Sequence, residues 1–215
     1  MSIATTTPGQ SPPTPAAPAG RPAAGAPASF IWGPQDLYRM TVDEYERIGG
    51  LLDDDRVELI DGYLVKKMSK NPPHIWSVQT TLTILAGLLP PGWTWRKEDP
   101  VRIPDFDEPE PDIAIVRGSK DDYKVRLPGP GDVAMVSESS ETTLARDQGP
   151  KLSNYARAGI PVYWIVNLVD NQVEVYSQPG PDGYQSHLVF KPGEDVPVVI
   201  DRVEVGRIAV ADLLP

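Results

Sequence analysis

Apolar and polar positions alternate in two distinct rhythms along this chain, and the rhythms divide it into strands and helices. Residues 133–136, Val-Ala-Met-Val, form a short continuous apolar run, as do residues 162–166, Val-Tyr-Trp-Ile-Val. Such runs predict buried strands. Trp93–Lys97, the Ile-Ala-Ile-Val run at 113–116 and Val-Glu-Val-Tyr at 173–176 read as further strands. Val-Glu-Leu-Ile and Tyr-Leu-Val, on either side of Asp61-Gly62, predict a hairpin, because that dipeptide favours a tight turn with positive φ. Over residues 74–89, by contrast, Ile75, Val78, Leu82, Leu85 and Leu89 recur every three or four positions, which predicts a helix with one buried stripe. A second helix is expected over 147–158, stopped by Gly159 and Pro161. Thr41 and Glu44 have the spacing of a capping box, so a short helix should open there. Residues 117–131 read as loop, and beyond residue 176 two or three short strands and a closing turn are expected.

Strands mixed with two substantial helices predict an α/β (α+β) domain with a central mixed β-sheet flanked by helices and an N-terminal β-hairpin. The helix at 147–158 is placed to carry a crossover between two strands. Residues 1–29 are Ala, Pro, Thr and Gly with the single charge Arg21, too little apolar surface to offset the entropy of ordering. They are expected to form a disordered Pro/Ala-rich tail, leaving 30–215 as one domain.

Composition narrows the chemistry. The chain has no cysteine, which excludes disulfides and thiolate metal sites. No stretch approaches the length of a membrane span and the N-terminus lacks a secretory core, so no membrane association and a cytoplasmic location are expected. A net charge of −10 counts against simple nucleic-acid binding through a basic face. With two histidines, His74 and His187, a three-histidine zinc site is impossible, and neither a phosphate-binding glycine loop nor a Gly-x-Ser-x-Gly elbow occurs.

What remains is carboxylates and a lysine. Asp112 precedes one apolar strand and Glu138 follows another. Carboxylates beside a packed sheet either face water or hold a cation, and from two acids alone the solvent-facing reading is favoured. Asp147, Lys151 and Tyr155 are spaced by four and should share a helical face, where an ordinary Asp–Lys surface pair is the simpler reading. Glu58 on the hairpin reads as a solvent-facing strand residue, and His74, after Pro73 at a helix start, as a weak phosphate contact.

Four segments change those odds together: Arg56-Val-Glu-Leu-Ile-Asp-Gly62, Pro109-Glu-Pro-Asp112, Glu138-x-Ser-x-x-x-Leu-Ala-Arg-Asp147 and Lys151-Leu-x-x-Tyr-Ala-Arg-Ala-Gly-Ile-Pro-x-Tyr-Trp-Ile-Val166. In this order they resemble the putative restriction endonuclease family of the PD-(D/E)XK nuclease superfamily, over residues 40–215. The resemblance implies a restriction-endonuclease-like core and a Mg²⁺- or Mn²⁺-dependent endonuclease acting on DNA. It also implies that Asp112 and Glu138 bind the metal, with Glu58 as an additional acid. Lys151 would take the lysine role from the following helix, since Ser140 stands where the superfamily usually has lysine. Asp147 and Tyr155 would position Lys151, and a homodimer is left open. Ser137 and Ser139 flank Glu138 where the family usually has apolar residues. A second reading, a non-catalytic interaction module on the same fold, rests on those serines and the acidic balance.

Overall fold

The computed structural model describes residues 33–49 and 57–215; the expected tail at 1–29 and Arg56 of the hairpin motif lie outside them. The chain divides into units 1–37 and 38–215. In the first, a single 3₁₀ turn at Pro34–Asp36 is closed by the Gly33 amide donating to Asp36 Oδ2 at 2.7 Å.

The second unit is organised by a six-stranded mixed sheet. Its strands are β3 (Trp93–Lys97), β4 (Ile113–Arg117), β5 (Val133–Ser140), β6 (Val162–Asn167), β7 (Gln172–Gly180) and β8 (Gly183–Phe190), in that spatial order. Only β5 and β6 run parallel, so the connection between them must cross over, as the sequence predicted. Both strands are buried along their whole length, the expected property of central strands covered on two faces.

Helix α2 (Pro72–Leu88) covers one face together with the hairpin of β9 (Asp195–Ile200) and β10 (Val203–Ala209). Val78 and Leu85 join Ile113, Ile115, Met135 and Trp164 in that core. The helix begins two residues before the expected start because Asn71 caps it, accepting from the His74 amide at 3.1 Å, and because Pro72 and Pro73 suit positions with no amide to satisfy. The predicted stripe is only partly right. Ile75 is 41% exposed, and Ser77 and Thr81 are the residues buried beside Val78 and Leu85.

The opposite face is covered by α3 (Leu144–Arg146), a π-turn at Asp147–Lys151, and α4 (Leu152–Arg157). The expected single helix over 147–158 is therefore broken. Gly149 takes φ −114° and ψ −106°, outside the helical region, and Pro150 can donate no amide to the preceding turn. Gly159, at φ +77°, ends α4 as predicted.

Helix α1 (Val42–Ile48) opens with the predicted capping box: Thr41 accepts from the Glu44 amide and Glu44 accepts from the Thr41 amide. Its Val42 and Tyr45 pack on Leu59 of β1 (Val57–Ile60), which pairs with β2 (Tyr63–Lys66). The turn takes φ +52° at Asp61 and +82° at Gly62, as a two-residue hairpin requires. A Cβ at Gly62 would lie 2.8 Å from Arg39 Cβ, so glycine is needed for space as well as conformation. The hairpin is tied down on one side by Asp107, which accepts from the Asp61 amide at 2.5 Å and from Asn154 of α4. That tie fixes where Glu58 of β1 points.

Candidate active site

The β4–β5 ladder ends in two carboxylates that continue it with side chains. The amide of Asp112 donates to Glu138 Oε2 at 3.2 Å, and the amide of Ser139 donates to Asp112 Oδ2 at 2.8 Å. Asp112 lies just ahead of β4, as expected. Glu138 does not follow its strand, because β5 runs on to Ser140 with Ser137, Ser139 and Ser140 all buried. The strand continues past its apolar run because β6 pairs with it through Ser140, whereas β4 pairs with it only as far as Ser137.

Alternation along β5 then sorts the chemistry. Glu138 and Ser140 face the α3–α4 layer, whereas Ser139 faces α2. On the α4 side, Lys151 Nζ sits 2.9 Å from Glu138 Oε1 and 3.1 Å from Glu58 Oε2. Tyr155 donates its hydroxyl to Glu138 Oε1 at 3.4 Å, and Ser140 donates to Asp147 Oδ2 at 2.7 Å. The surface reading of the Asp147–Lys151 pair is thus overturned: both are buried, and Lys151 pairs with Glu138 and Glu58 instead. Glu58, expected to face water, is 3% exposed, because Lys151, Arg146 and the Glu110 amide close over its carboxylate. On the α2 side, His74 Nδ1 lies 2.8 Å from the Ser139 carbonyl and must donate to it, while Nε2 approaches Asp112 Oδ1 at 3.4 Å. Ser139 Oγ meets Ser77 Oγ at 3.2 Å.

The structure therefore gathers Asp112, Glu138, Lys151, Glu58, Asp147, Tyr155 and His74 in one region. It adds two residues that the sequence motifs contained without a role. Arg146 reaches Glu58 Oε1 at 3.4 Å, and the Glu110 amide donates to Glu58 Oε2 at 3.2 Å while its carboxylate pairs with Lys67 at 2.6 Å. Their presence inside quoted motifs, next to Asp147 and Asp112, was the available signal.

All of these groups but Tyr155 line an open cleft, together with residues 67–71 and 141–143. Burial is the largest influence on Glu138 and pushes its carboxyl well up, reinforced by Asp112, Asp147 and Glu58 and opposed by Lys151. Burial also raises Asp147. For Lys151 burial pulls the other way, but the charges of Glu138, Glu58 and Asp147 outweigh it and hold the ammonium charged. His74 is raised as well: burial opposes, and the Asp112 hydrogen bond and charge prevail.

Four acids, Glu58, Asp112, Glu138 and Asp147, are thus buried around Lys151, with Arg146 against Glu58 and His74 against Asp112. That imbalance fits a cation. The available donors are hard carboxylate oxygens, suited to Mg²⁺ or Mn²⁺ rather than to a soft metal. Among the described residues, no group of three or more histidine, aspartate and glutamate side chains is placed to hold a metal ion, so at most two carboxylates are at hand. Such a donor set suits an ion that keeps water and takes further oxygens from its substrate.

No helix among the described residues is long and apolar enough to cross a membrane. No curated protein matches the chain. Its backbone is similar to the crystal structure of a putative nuclease belonging to DUF820 from Anabaena variabilis ATCC 29413, with a TM-score of 0.60 at 17% identity, over 81% of this chain and 97% of that one. At that identity the likeness shows the fold, a nuclease-like mixed sheet with few helices. Residues 42–204 match the Uma2 family model, described as "Putative restriction endonuclease". Since the match spans most of the chain, from α1 into β10, the protein belongs to the Uma2 putative restriction endonuclease family.

Proposed function

We propose that this chain is a metal-dependent endonuclease that hydrolyses phosphodiester bonds, with DNA as its substrate. The observation that carries the reading is the buried Lys151 ammonium held between Glu138 and Glu58 at the floor of an open cleft, with Asp112 beside them. A structural ion pair needs no cleft and no surplus of buried carboxylates.

Asp112 and Glu138 are the residues to hold Mg²⁺ or Mn²⁺. Bound there, such an ion supplies Lewis-acid polarisation of a phosphate and acidifies water. Lys151 keeps its charge at neutral pH and presents it to the oxygens that gain negative charge during hydrolysis. Tyr155 and Glu58 fix the ammonium and its carboxylate partner, while Ser140 fixes Asp147 beside them. His74 holds the free side of Asp112, and its Nδ1 bond to Ser139 sets the ring.

The test is incubation of the full chain with supercoiled plasmid, single-stranded DNA and RNA in Mg²⁺, Mn²⁺ or EDTA, alongside Asp112→Asn and Lys151→Ala. Metal-dependent cleavage of DNA that disappears in both variants is expected. Cleavage that persists in EDTA, or in folded Asp112→Asn, overturns the assignment. If calorimetry shows no Mn²⁺ binding and no substrate is cut, the fold serves another purpose.

A further inference from the structure

The acidic total hides a segregation of charge. Between Asp61 and Glu98 the chain has no acidic residue, yet it carries Lys66, Lys67, Lys70, Arg96 and Lys97. A net +5 therefore sits in residues 62–97 of a chain whose total is −10. Two of the five charges, Lys67 and Lys70, fall in the short connection from β2 to α2, with Lys66 just before it at the end of β2, and that connection lines the cleft.

Residues 67–71 line the cleft consecutively and end at Asn71, the cap of α2, one turn from the His74 that approaches Asp112. Lys67 and Lys70 are thus part of the cleft itself, and Lys66 is exposed at the end of β2 with no ion pair among the described residues. Lys67 is oriented by Glu110 at 2.6 Å and Lys70 by Glu98 at 2.7 Å. Each ammonium has three donors, so one carboxylate leaves capacity for a phosphate oxygen. Each pairing also neutralises an acid that would repel a polyanion. Burial pushes the Glu110 carboxyl up despite Lys67, while Lys70 and Lys97 hold Glu98 down against its burial.

The amide and guanidinium side chains of the cleft, those suited to bidentate reading of base edges, are already engaged. Asn71 bonds Glu141 and caps α2, and Arg146 is committed to Glu58. Contacts to phosphate alone carry no sequence information.

We propose that Lys66, Lys67 and Lys70 form a phosphate-gripping edge that lays a nucleic-acid backbone across the cleft irrespective of base sequence. This rests on the nuclease reading of the cleft. Neutralising each phosphate contact should remove about one unit from the slope of log K against log salt. Replacing all three should shrink the affinity lost between about 50 and about 200 mM salt by about 40-fold.

The experiment is fluorescence anisotropy of the full chain with labelled duplex DNA, single-stranded DNA and RNA, in Ca²⁺ and in EDTA, across a salt series. Lys66→Gln, Lys67→Gln and Lys70→Gln are compared with wild type and with Lys120→Gln, an exposed lysine outside the cleft. Circular dichroism confirms folding, and Lys67→Arg should restore the slope lost in Lys67→Gln. The expected result is a slope reduced by about one per edge lysine, equal for unrelated sequences, with Lys120→Gln unchanged. Wild-type binding with unaltered slopes in the edge variants, or an equal effect of Lys120→Gln, overturns the edge and leaves the nuclease reading standing. No binding of any nucleic acid by wild type removes both.

Discussion

Removing the Lys151 charge is the sharpest perturbation of the buried cluster, because its cost can be bounded from the geometry. In Lys151→Met a chain of similar length remains, so packing changes little, but Glu138 and Glu58 lose the ammonium at 2.9 and 3.1 Å. Glu58 retains Arg146 and the Glu110 amide; Glu138 retains only the Asp112 amide and the Tyr155 hydroxyl, neither of them a cation. Leaving a buried charge uncompensated typically costs about 3–5 kcal/mol. Protonation limits that cost. Starting from the ordinary glutamate value of 4.5, holding one carboxyl neutral costs about 1.4 kcal/mol per pH unit, hence about 3 kcal/mol at pH 7 and under about 1 at pH 5. The sign follows from the direction of the shift. Glu138 is raised already in wild type, and losing the opposing Lys151 charge raises it further. An acid raised in the folded state binds its proton more tightly there than in the unfolded chain, so the added penalty is absent below 4.5 and grows as pH rises. Urea denaturation of wild type, Lys151→Met and Lys151→Met/Glu138→Gln at pH 5 and 7 checks this. The single variant should lose about 3 kcal/mol at pH 7 and far less at pH 5, and the double variant should recover most of the pH 7 loss. A loss under about 1 kcal/mol at pH 7, or one unchanged at pH 5, refutes the buried ion pair.

Three further outcomes are expected. Glu108 is buried with Glu46 nearby, and burial first, then that charge, raises it to about 7 against the pull of Arg102. Wild-type stability should therefore fall by up to about 3 kcal/mol from this group between about pH 4.5 and about 7.5, and urea midpoints of Glu108→Gln should lack that fall. Ser139→Ala should leave Mn²⁺ affinity by calorimetry within about twofold and stability within about 1 kcal/mol, because the contact to Asp112 comes from the Ser139 amide, not its hydroxyl. Glu174→Leu strands Gln148, Asn167 and Tyr176 without their shared acceptor and should cost about 2–4 kcal/mol, with faster amide exchange across residues 147–151; unchanged exchange there would show that Gln148 does not hold the kink.

Features fixed by local chemistry were legible in the sequence. The Thr41–Glu44 box, the Asp61-Gly62 turn and the apolar runs of β4, β5 and β6 depend on a few adjacent residues, and each formed where it was read. The errors at Glu58 and Glu138 share a cause: cover and pairing imposed by distant chain. Glu58 reads as solvent-facing because the groups that cover it, Glu110, Arg146 and Lys151, are remote in sequence. Glu138 reads as following its strand because four polar residues follow Val136, and only pairing with the distant β6 carries the strand through the last three of them. The site residues themselves were found through the family resemblance, since spacing alone favoured a surface pair for Asp147 and Lys151.

The break at Gly149-Pro150 shows why that spacing misled. Asp147, Lys151 and Tyr155 do point toward one place, but not along one straight helix. Gly149 leaves the helical region between the first two, so Asp147 is fixed from α3 by Ser140 and Lys151 arrives from the start of α4. The segment is held from outside by Glu174 on β7, whose carboxylate accepts from Gln148 at 2.9 and 3.0 Å and from Asn167 and Tyr176. Burial raises Glu174, yet those donors hold it below the usual glutamate range, so the anchor stays ionised at neutral pH. A straight helix would leave the Asp147–Lys151 spacing to bond geometry alone. The kink instead lets the sheet set each position, Asp147 through β5 and the intervening Gln148 through β7, while Lys151 reaches over Glu138 to Glu58 on the hairpin. The strand that carries Glu138 has serine at position 140, and the bent segment is what brings the Lys151 ammonium within 2.9 Å of Glu138.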